Sequence, residues 1–97
     1  MQQLFCVYIL TNKKRGVLYT GKSNSLIKRI HQHKNKEADG FTKKYQLTRL
    51  VYYEAHESAT VATHREKCIK EWKREWKIRL IEELNPEWRD LYEDICK

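Results

Sequence analysis

Alternating apolar residues near the start of the chain predict two paired strands. Residues 5–10 (FCVYIL) alternate in β-prone residue types and are apolar on both faces, which predicts a strand covered on both sides. A polar segment that ends in Gly16 predicts a hairpin loop, and residues 17–20 predict a short second strand that breaks at Gly21. The simplest register pairs Tyr8 directly with Tyr19, so both phenols would lie side by side on one sheet face.

The middle of the chain predicts a helix and then a third strand. Positions 23–25 hold N-cap residue types, and residues 26–34 continue as a helix. Residues 35–44 are polar and basic, which is typical of a loop. Residues 47–54 (LTRLVYYE) have a β-branched and aromatic centre, and they predict the third strand.

The C-terminal part of the chain predicts helices. Ser58 can cap a helical region over 58–84, which is one helix or two helices with a bend near 73–75. Its buried side is expected to carry Ala62, Ile69, Trp72 and Trp76. The helix should end at about Leu84, because the residue before a proline resists the α conformation. Residues 88–95 predict a short terminal helix.

The order β-β-α-β-α-α predicts an α+β fold, a small mixed three-stranded sheet with helices packed on it. A length of 97 residues is enough for one compact core, so residues 1–97 are expected to form a single domain.

The charge balance indicates an anionic partner. Lys and Arg total 20 against 13 Asp and Glu, and the net charge of +7 favours nucleic acid first and an anionic membrane surface second. The apolar run over residues 4–10 is far shorter than the roughly 20 residues that cross a bilayer, so no membrane span is expected. It also lacks the flanks of a signal peptide. Three widely spaced cysteines argue against a disulfide framework and favour a reducing, cytoplasmic setting.

Several reactive residue types converge on one face of the predicted sheet. Tyr8 and Tyr19 share that face, and Gly21 follows where the backbone can approach a ligand closely. Arg29 and His33 lie one turn apart on the helix that begins after this strand. Phenols, a guanidinium and an imidazole are groups that can bind a phosphate and move a proton.

Glu66 adds a carboxylate at the edge of an apolar helix stripe. A charge there is unfavourable unless it is paired or binds a metal. Such a carboxylate would hold Mg²⁺ or Mn²⁺, which prefer oxygen ligands. The metal and Arg29 would offset charge on a phosphoryl group while a tyrosine or His33 takes a proton from water, so the set could hydrolyse a phosphodiester.

The order and spacing of these residues resemble the GIY-YIG endonuclease family. The first family motif corresponds to Cys6-Val7-Tyr8 and the second to Tyr19-Thr20-Gly21, followed by Arg29, Glu66 and Asn85. Segments 40–45, 50–54 and 85–88 look closest to the small stand-alone bacterial members. Cys6 and Thr20 depart from the usual residues of the two motifs without removing a reactive group.

The resemblance implies a metal-dependent nuclease with defined roles. One divalent ion, Mg²⁺ or Mn²⁺, would be held by Glu66, and Arg29 would hold the scissile phosphate. Tyr8 and Tyr19 would position or deprotonate the water, and His33 is a candidate base or proton relay. The substrate-binding candidates are Gly21, Lys22, Lys43, Lys44 and Asn85.

These residues also have plainer explanations. Two tyrosines on a strand are usually packing residues. Glu66 could simply pair with Lys70 at i,i+4, for about 0.3–0.5 kcal/mol on a surface. Asn85 could serve only as a helix stop. The histidines and cysteines lack the spacing of a zinc site. Trp72, Trp76 and Trp88 are expected in the core, since a base-stacking platform would need them exposed.

The leading interpretation is an endonuclease that acts on DNA. The cleavage is expected to be nicking or structure-specific, with a role in repair of branched or damaged DNA. The protein is expected to be a monomer or a weak homodimer. The alternative is a nucleic-acid-binding module of the same fold without efficient catalysis. A third interpretation is an adaptor whose basic face binds an acidic protein. The sequence leaves open whether DNA or RNA is cut and which phenol or imidazole is the base.

Overall fold

The computed structural model describes residues 4–37 and 40–97. Their elements are β1 (Phe5–Thr11), β2 (Leu18–Ser23), α1 (Leu26–Lys34), α2 (Gly40–Tyr45), β3 (Arg49–His56), α3 (Ala59–Glu71), α4 (Arg74–Leu84) and α5 (Tyr92–Ile95). The range of α1 is the one that the N-cap residues and apolar spacing predict. Within the described ranges, no helix is both long enough and apolar enough to cross a membrane.

The sheet has the strand order β2-β1-β3, and both strand pairs are antiparallel. The α+β class is therefore confirmed, but the prediction of a mixed sheet is wrong. Strands β2 and β3 run in the same direction, yet β3 pairs with the far side of β1 and does not lie beside β2. The same chain directions thus produce a purely antiparallel sheet.

The predicted register of the first hairpin is wrong by two residues. Tyr8 lies opposite Gly21, and Tyr19 lies opposite Leu10. The cause is in the loop, where the side-chain oxygen of Asn12 accepts a hydrogen bond from the Val17 amide at 3.0 Å. Val17 is therefore held in the loop, and β2 continues through Gly21. Because the error is an even number, both tyrosines still share one sheet face.

The sheet separates two apolar cores, as the two-sided pattern of β1 predicts. One face carries the buried residues Val7, Ile9, Val51, Tyr52, Ala62, Ile69, Ile81 and Trp88. The other face carries Tyr8, Leu10, Ile30, Leu47 and Leu50. A register shift between Ile9 and Leu10 in the β1–β3 pair places Val51 and Tyr52 on the same core. The face with Tyr8 packs against α1.

The long helical region is two helices, one of the two alternatives that the sequence left open. Ser58 caps α3 by accepting a hydrogen bond from the Val61 amide. Trp72 and Lys73 then adopt extended backbone angles, and α4 begins at Arg74. This break turns the ring of Trp76 outward, so its predicted burial is wrong. The helix does end at Leu84, before the proline.

Two further segments differ from the prediction. The basic segment 35–44 contains the short helix α2, and its positions 38–39 lie outside the described residues. The terminal helix covers only Tyr92–Ile95, because Trp88 has a φ of 56°, outside the helical region, and the Leu91 amide donates to the carbonyl oxygen of Leu50 on β3. The third strand is Arg49–His56, two residues later than predicted.

Candidate active site

Three buried side chains form a hydrogen-bonded chain on the α1 face of the sheet. The hydroxyl of Tyr8 on β1 lies 3.0 Å from Nε2 of His33, which α1 supplies. The other ring nitrogen, Nδ1 of His33, lies 3.1 Å from Oγ1 of Thr42 on α2. The exposed fractions are 1% for Tyr8, 2% for His33 and 3% for Thr42. The imidazole is therefore oriented at both nitrogens and shielded from bulk water.

The two tyrosines and the histidine form a cluster of rings. The ring centres are 6.4 Å apart for Tyr8 and Tyr19, 5.8 Å for Tyr8 and His33, and 5.9 Å for Tyr19 and His33. Gly21 makes this cluster possible, because a Cβ atom at that position would lie 2.5 Å from both Cζ and the hydroxyl oxygen of Tyr8. The close approach at Gly21 is thus to the Tyr8 ring.

Arg29 lies one turn before His33 on α1 and is hydrogen-bonded to the phenol of Tyr8. Burial raises the pKa of Tyr8 to about 12, because a buried phenolate loses its hydration. Arg29 acts in the opposite direction, whereas the nearby Tyr19 and Glu66 raise this pKa further. Tyr8 is therefore a neutral hydroxyl at pH 7.

Glu66 on α3 is near enough to the Tyr8 phenol for its negative charge to raise the pKa of that phenol. Its side chain is 17% exposed, and its Oε2 also lies 3.2 Å from Nζ of Lys70. The plain i,i+4 ion pair is thus present together with the electrostatic effect on Tyr8. Four of the five predicted catalytic residues surround Tyr8 or are linked to it: Tyr19, Arg29, His33 and Glu66.

Two contacts fix helix α3 to the sheet just before Glu66 in the chain. Lys22 on β2 donates from Nζ to Oγ1 of Thr63 at 2.9 Å. Arg65 donates from Nε to Glu54 on β3 at 2.8 Å. The Arg65 contact and hydrogen bonds from two neighbours on β3 lower the pKa of Glu54 despite its burial. Both anchors restrict rotation of α3 and so fix the direction of Glu66.

The other substrate-binding candidates lie apart from this cluster or are engaged elsewhere. Lys43 and Lys44 are exposed on α2. Asn85 is buried after α4, where its amide nitrogen donates to the carbonyl oxygens of Val51 and Arg89. Its side-chain oxygen accepts from the Arg89 amide. The side chain of Asn85 is thus engaged in holding the main chain after the helix.

Thr42 is the member of the cluster that the sequence analysis missed. It lies in the segment 40–45, which supports the resemblance but carries no motif of its own. A threonine beside two lysines gives no signal of burial. The short helix α2 places its hydroxyl against Nδ1 of His33.

The residues described by the structure do not include three His, Cys, Asp or Glu side chains grouped as a metal site. Mg²⁺ is commonly bound through one or two carboxylates while it keeps several waters. The partly exposed carboxylate of Glu66 is a hard oxygen donor of that kind, and the phenol of Tyr8 lies within reach of its electrostatic effect. The chemistry of the donors therefore fits one hydrated divalent cation.

The family match of this α+β fold indicates a nuclease domain, a hydrolase that acts within a nucleic-acid chain. Residues 4–79 match the model of the GIY-YIG catalytic domain, whose activity is that of an endonuclease. The chain belongs to the GIY-YIG family.

Small bacterial proteins are similar to this chain over most of their length. A UPF0213 protein of Staphylococcus saprophyticus is 38% identical over 77 residues, which are 79% of this chain and 93% of the relative. A UPF0213 protein of Clostridium perfringens is 41% identical over 75 residues, with 77% and 80% covered. A UPF0213 protein of Staphylococcus aureus is 37% identical over 68 residues, with 70% and 83% covered. No solved structure matches the chain.

Proposed function

We propose that the chain is an endonuclease that hydrolyses phosphodiester bonds in DNA with the help of one Mg²⁺ or Mn²⁺ ion. One observation above all supports this proposal. The buried hydroxyl of Tyr8 is hydrogen-bonded to His33 and Arg29, and it lies in the electrostatic field of Glu66. A candidate base and a candidate phosphate-binding cation thus share one hydroxyl group, and the candidate metal-binding carboxylate is near enough to act on it electrostatically.

The proton path follows from the pKa of Tyr8. A phenol with a pKa of about 12 is not ionised at pH 7, so Tyr8 does not remove a proton by itself. It can accept a proton from water while it passes its own to Nε2 of His33, 3.0 Å away. Thr42 holds the opposite nitrogen of the imidazole and so favours the orientation in which Nε2 faces Tyr8. Tyr19 borders the same space and would orient the water.

Arg29 and Glu66 would serve the phosphate and the cation. The guanidinium of Arg29 can stabilise the negative charge that develops on the phosphoryl oxygens. Glu66 would hold the divalent ion, which when bound polarises the phosphoryl group. Lys70 already contacts Glu66, so this lysine would have to release the carboxylate as the cation binds.

The positive charge of the chain supports DNA as the substrate. The net charge of +7 suits a phosphate backbone, and exposed lysines at positions 22, 43 and 44 are the proposed contacts. Attack on one phosphate by one cluster produces a nick in one strand, which would suit repair of branched or damaged DNA. We propose that residues 1–97 form one domain, which acts as a monomer or weak homodimer.

The test is cleavage of supercoiled plasmid and of labelled linear, flap and junction DNA. The wild-type protein should nick these substrates in Mg²⁺ or Mn²⁺, and cleavage should stop in chelator. Glu66→Gln should lower the rate by about 100-fold or more, comparable with loss of a catalytic group. Glu71→Gln, an exposed change on the same helix, is the matched control and should cleave as the wild type does. Equal rates for Glu66→Gln and the wild type would contradict the proposal.

The second candidate function is a DNA-binding module that lacks efficient catalysis. The ion pair between Glu66 and Lys70 favours it, because the pair occupies the only carboxylate proposed for the metal. This function predicts salt-sensitive retention of DNA together with no cleavage in any divalent metal. An adaptor for an acidic protein would instead show no DNA retention even at low salt.

A further inference from the structure

Helix α2 extends the ring cluster of the site outward to the surface. The ring of Phe41 lies 6.1 Å from that of Tyr19, and the ring of Tyr45 lies 4.9 Å from that of Phe41. We call Tyr19, Phe41 and Tyr45 the aromatic row. It begins beside the buried Tyr8 and ends on the outer face of α2, so it leads from the proposed reaction centre into solvent.

The two outer rings of the aromatic row are exposed to solvent. Phe41 is 46% exposed and Tyr45 is 41% exposed. Two such rings on a helix of six residues bury little apolar surface against the core, so packing alone does not account for them. Their position next to the proposed centre makes them available to a ligand.

Positive charge accompanies these rings. Lys43 and Lys44 follow Phe41 on the same short helix, and Nζ of Lys44 lies 5.4 Å from the centre of the Tyr45 ring. An ammonium group beside an exposed ring matches the composition of a nucleotide, in which a phosphate lies beside a flat base. Proteins that bind single-stranded nucleic acid combine the same two features, a basic surface and stacking rings.

We propose that the aromatic row is a stacking surface for an unpaired DNA base next to the phosphate that is cut. This inference rests on the proposed function, because it takes Tyr8 and its partners as the reaction centre. Bases within a duplex have both faces covered by their neighbours, so they cannot stack on Phe41 or Tyr45. The row therefore selects DNA in which at least one base is unstacked.

The test is binding of fluorescent oligonucleotides, measured by anisotropy in chelator so that no cleavage is needed. Phe41→Ala and Tyr45→Ala should each weaken binding to single-stranded DNA by about 10-fold, the loss of one stacked base. Binding to the matched duplex should not change. An oligonucleotide with abasic positions should bind the wild type more weakly, and Phe41→Ala should weaken that binding no further.

The control is Trp76→Ala, which also removes an exposed aromatic ring. Trp76 contacts Trp72, which packs against the core on the other face of the sheet. It should bind as the wild type does. Phe41→Trp should keep tight binding, which separates stacking from a need for phenylalanine in folding. If thermal melts show that Phe41→Ala is not folded under the binding conditions, the binding of Tyr45→Ala tests the inference, because Tyr45 lies further from the core.

Three results would overturn the inference. The first is that the substitutions weaken binding to the duplex as much as binding to the single strand. The second is that Phe41→Ala weakens binding to the abasic oligonucleotide as well, and the third is that a matched RNA binds more tightly than the DNA. Absence of metal-dependent cleavage would contradict the proposed function alone, because the binding measurements do not depend on it.

Discussion

The hydroxyl of Tyr8 and Nε2 of His33 lie 3.0 Å apart, and both side chains are buried. A proton that leaves the phenol therefore has a hydrogen-bonded acceptor inside the fold. Water cannot easily substitute for that acceptor, because the pair is shielded by Thr42 on one side and by the Tyr19 ring on the other. The activity of the site should thus depend steeply on His33.

We expect His33→Ala to lower the cleavage rate by about 100-fold or more while DNA binding is unchanged, since it removes the proton acceptor and no surface charge contact. It should also lower the free energy of unfolding by about 1–3 kcal/mol, because buried hydroxyls at Tyr8 and Thr42 lose a partner. Plasmid nicking and urea unfolding measure the two effects. His31→Ala, exposed on the same helix, is the control. Cleavage by His33→Ala at the wild-type rate would rule out this proton path.

Gly21 and Gly40 provide a matched pair of glycine substitutions. A Cβ atom at Gly21 would lie 2.5 Å from Tyr8 atoms, whereas one at Gly40 meets nothing within 4 Å. Gly21→Ala should therefore displace the phenol, reduce stability by about 1–3 kcal/mol and reduce cleavage. Gly40→Ala should leave both properties close to those of the wild type. Thermal melts and nicking rates test this, and equal behaviour of the two variants would show that the cluster tolerates displacement of Tyr8.

The ion pair between Glu66 and Lys70 predicts a change in metal requirement. Lys70→Met removes the ammonium group that lies 3.2 Å from the Glu66 carboxylate, so a cation no longer competes with it. Half-maximal cleavage should then need less Mg²⁺, by at most about fivefold, since an exposed ion pair is worth about 1 kcal/mol or less. A metal titration of the nicking rate measures this. Lys67→Met is the control on the same helix, and a higher Mg²⁺ requirement for Lys70→Met would contradict Glu66 as the ligand.

The stability of the fold should decrease at alkaline pH. Burial raises the pKa of Tyr8 and of Tyr52 to about 12, from an ordinary value of 10.0. The unfolded chain therefore loses these protons first, so their contribution to stability is fully present below pH 10 and is lost as the pH rises through 12. Urea midpoints at about pH 9 and about pH 11 should differ less for Tyr8→Phe than for the wild type. The exposed Tyr53 provides the control substitution, and an equal difference in Tyr8→Phe would refute the shift.

The sequence predicts the parts of this fold that depend on local pattern. The two-sided apolar pattern of residues 5–10 identifies β1 as the strand between two cores, and the N-cap residues locate α1. Pattern alone does not determine partners across the sheet. The position of β3 beside β1 depends on the whole core, and the hairpin register depends on one hydrogen bond that the Val17 amide donates to the Asn12 side chain.

In the candidate site, too, local pattern predicts some residues, and tertiary contacts determine the others. Motif spacing identifies Tyr8, Tyr19 and Arg29, because neighbouring elements fix their relation. Thr42 escapes prediction, since a short helix without apolar periodicity carries it to His33. Helical spacing that continues past residue 72 predicts a buried Trp76, but the extended backbone at Trp72 and Lys73 rotates the next helix and exposes the ring.

Strand β1 is hydrogen-bonded on both edges and covered on both faces, and it carries the phenol of Tyr8. Amide protons of such a strand exchange with solvent only when much of the molecule opens. Residues 7–10 should thus be among the slowest to take up deuterium, and the phenol should keep its place through the local opening of loops and helix ends. In the proposed mechanism, the outer elements would then open to release the substrate, while the hydroxyl of Tyr8 stays on the strand that opens last.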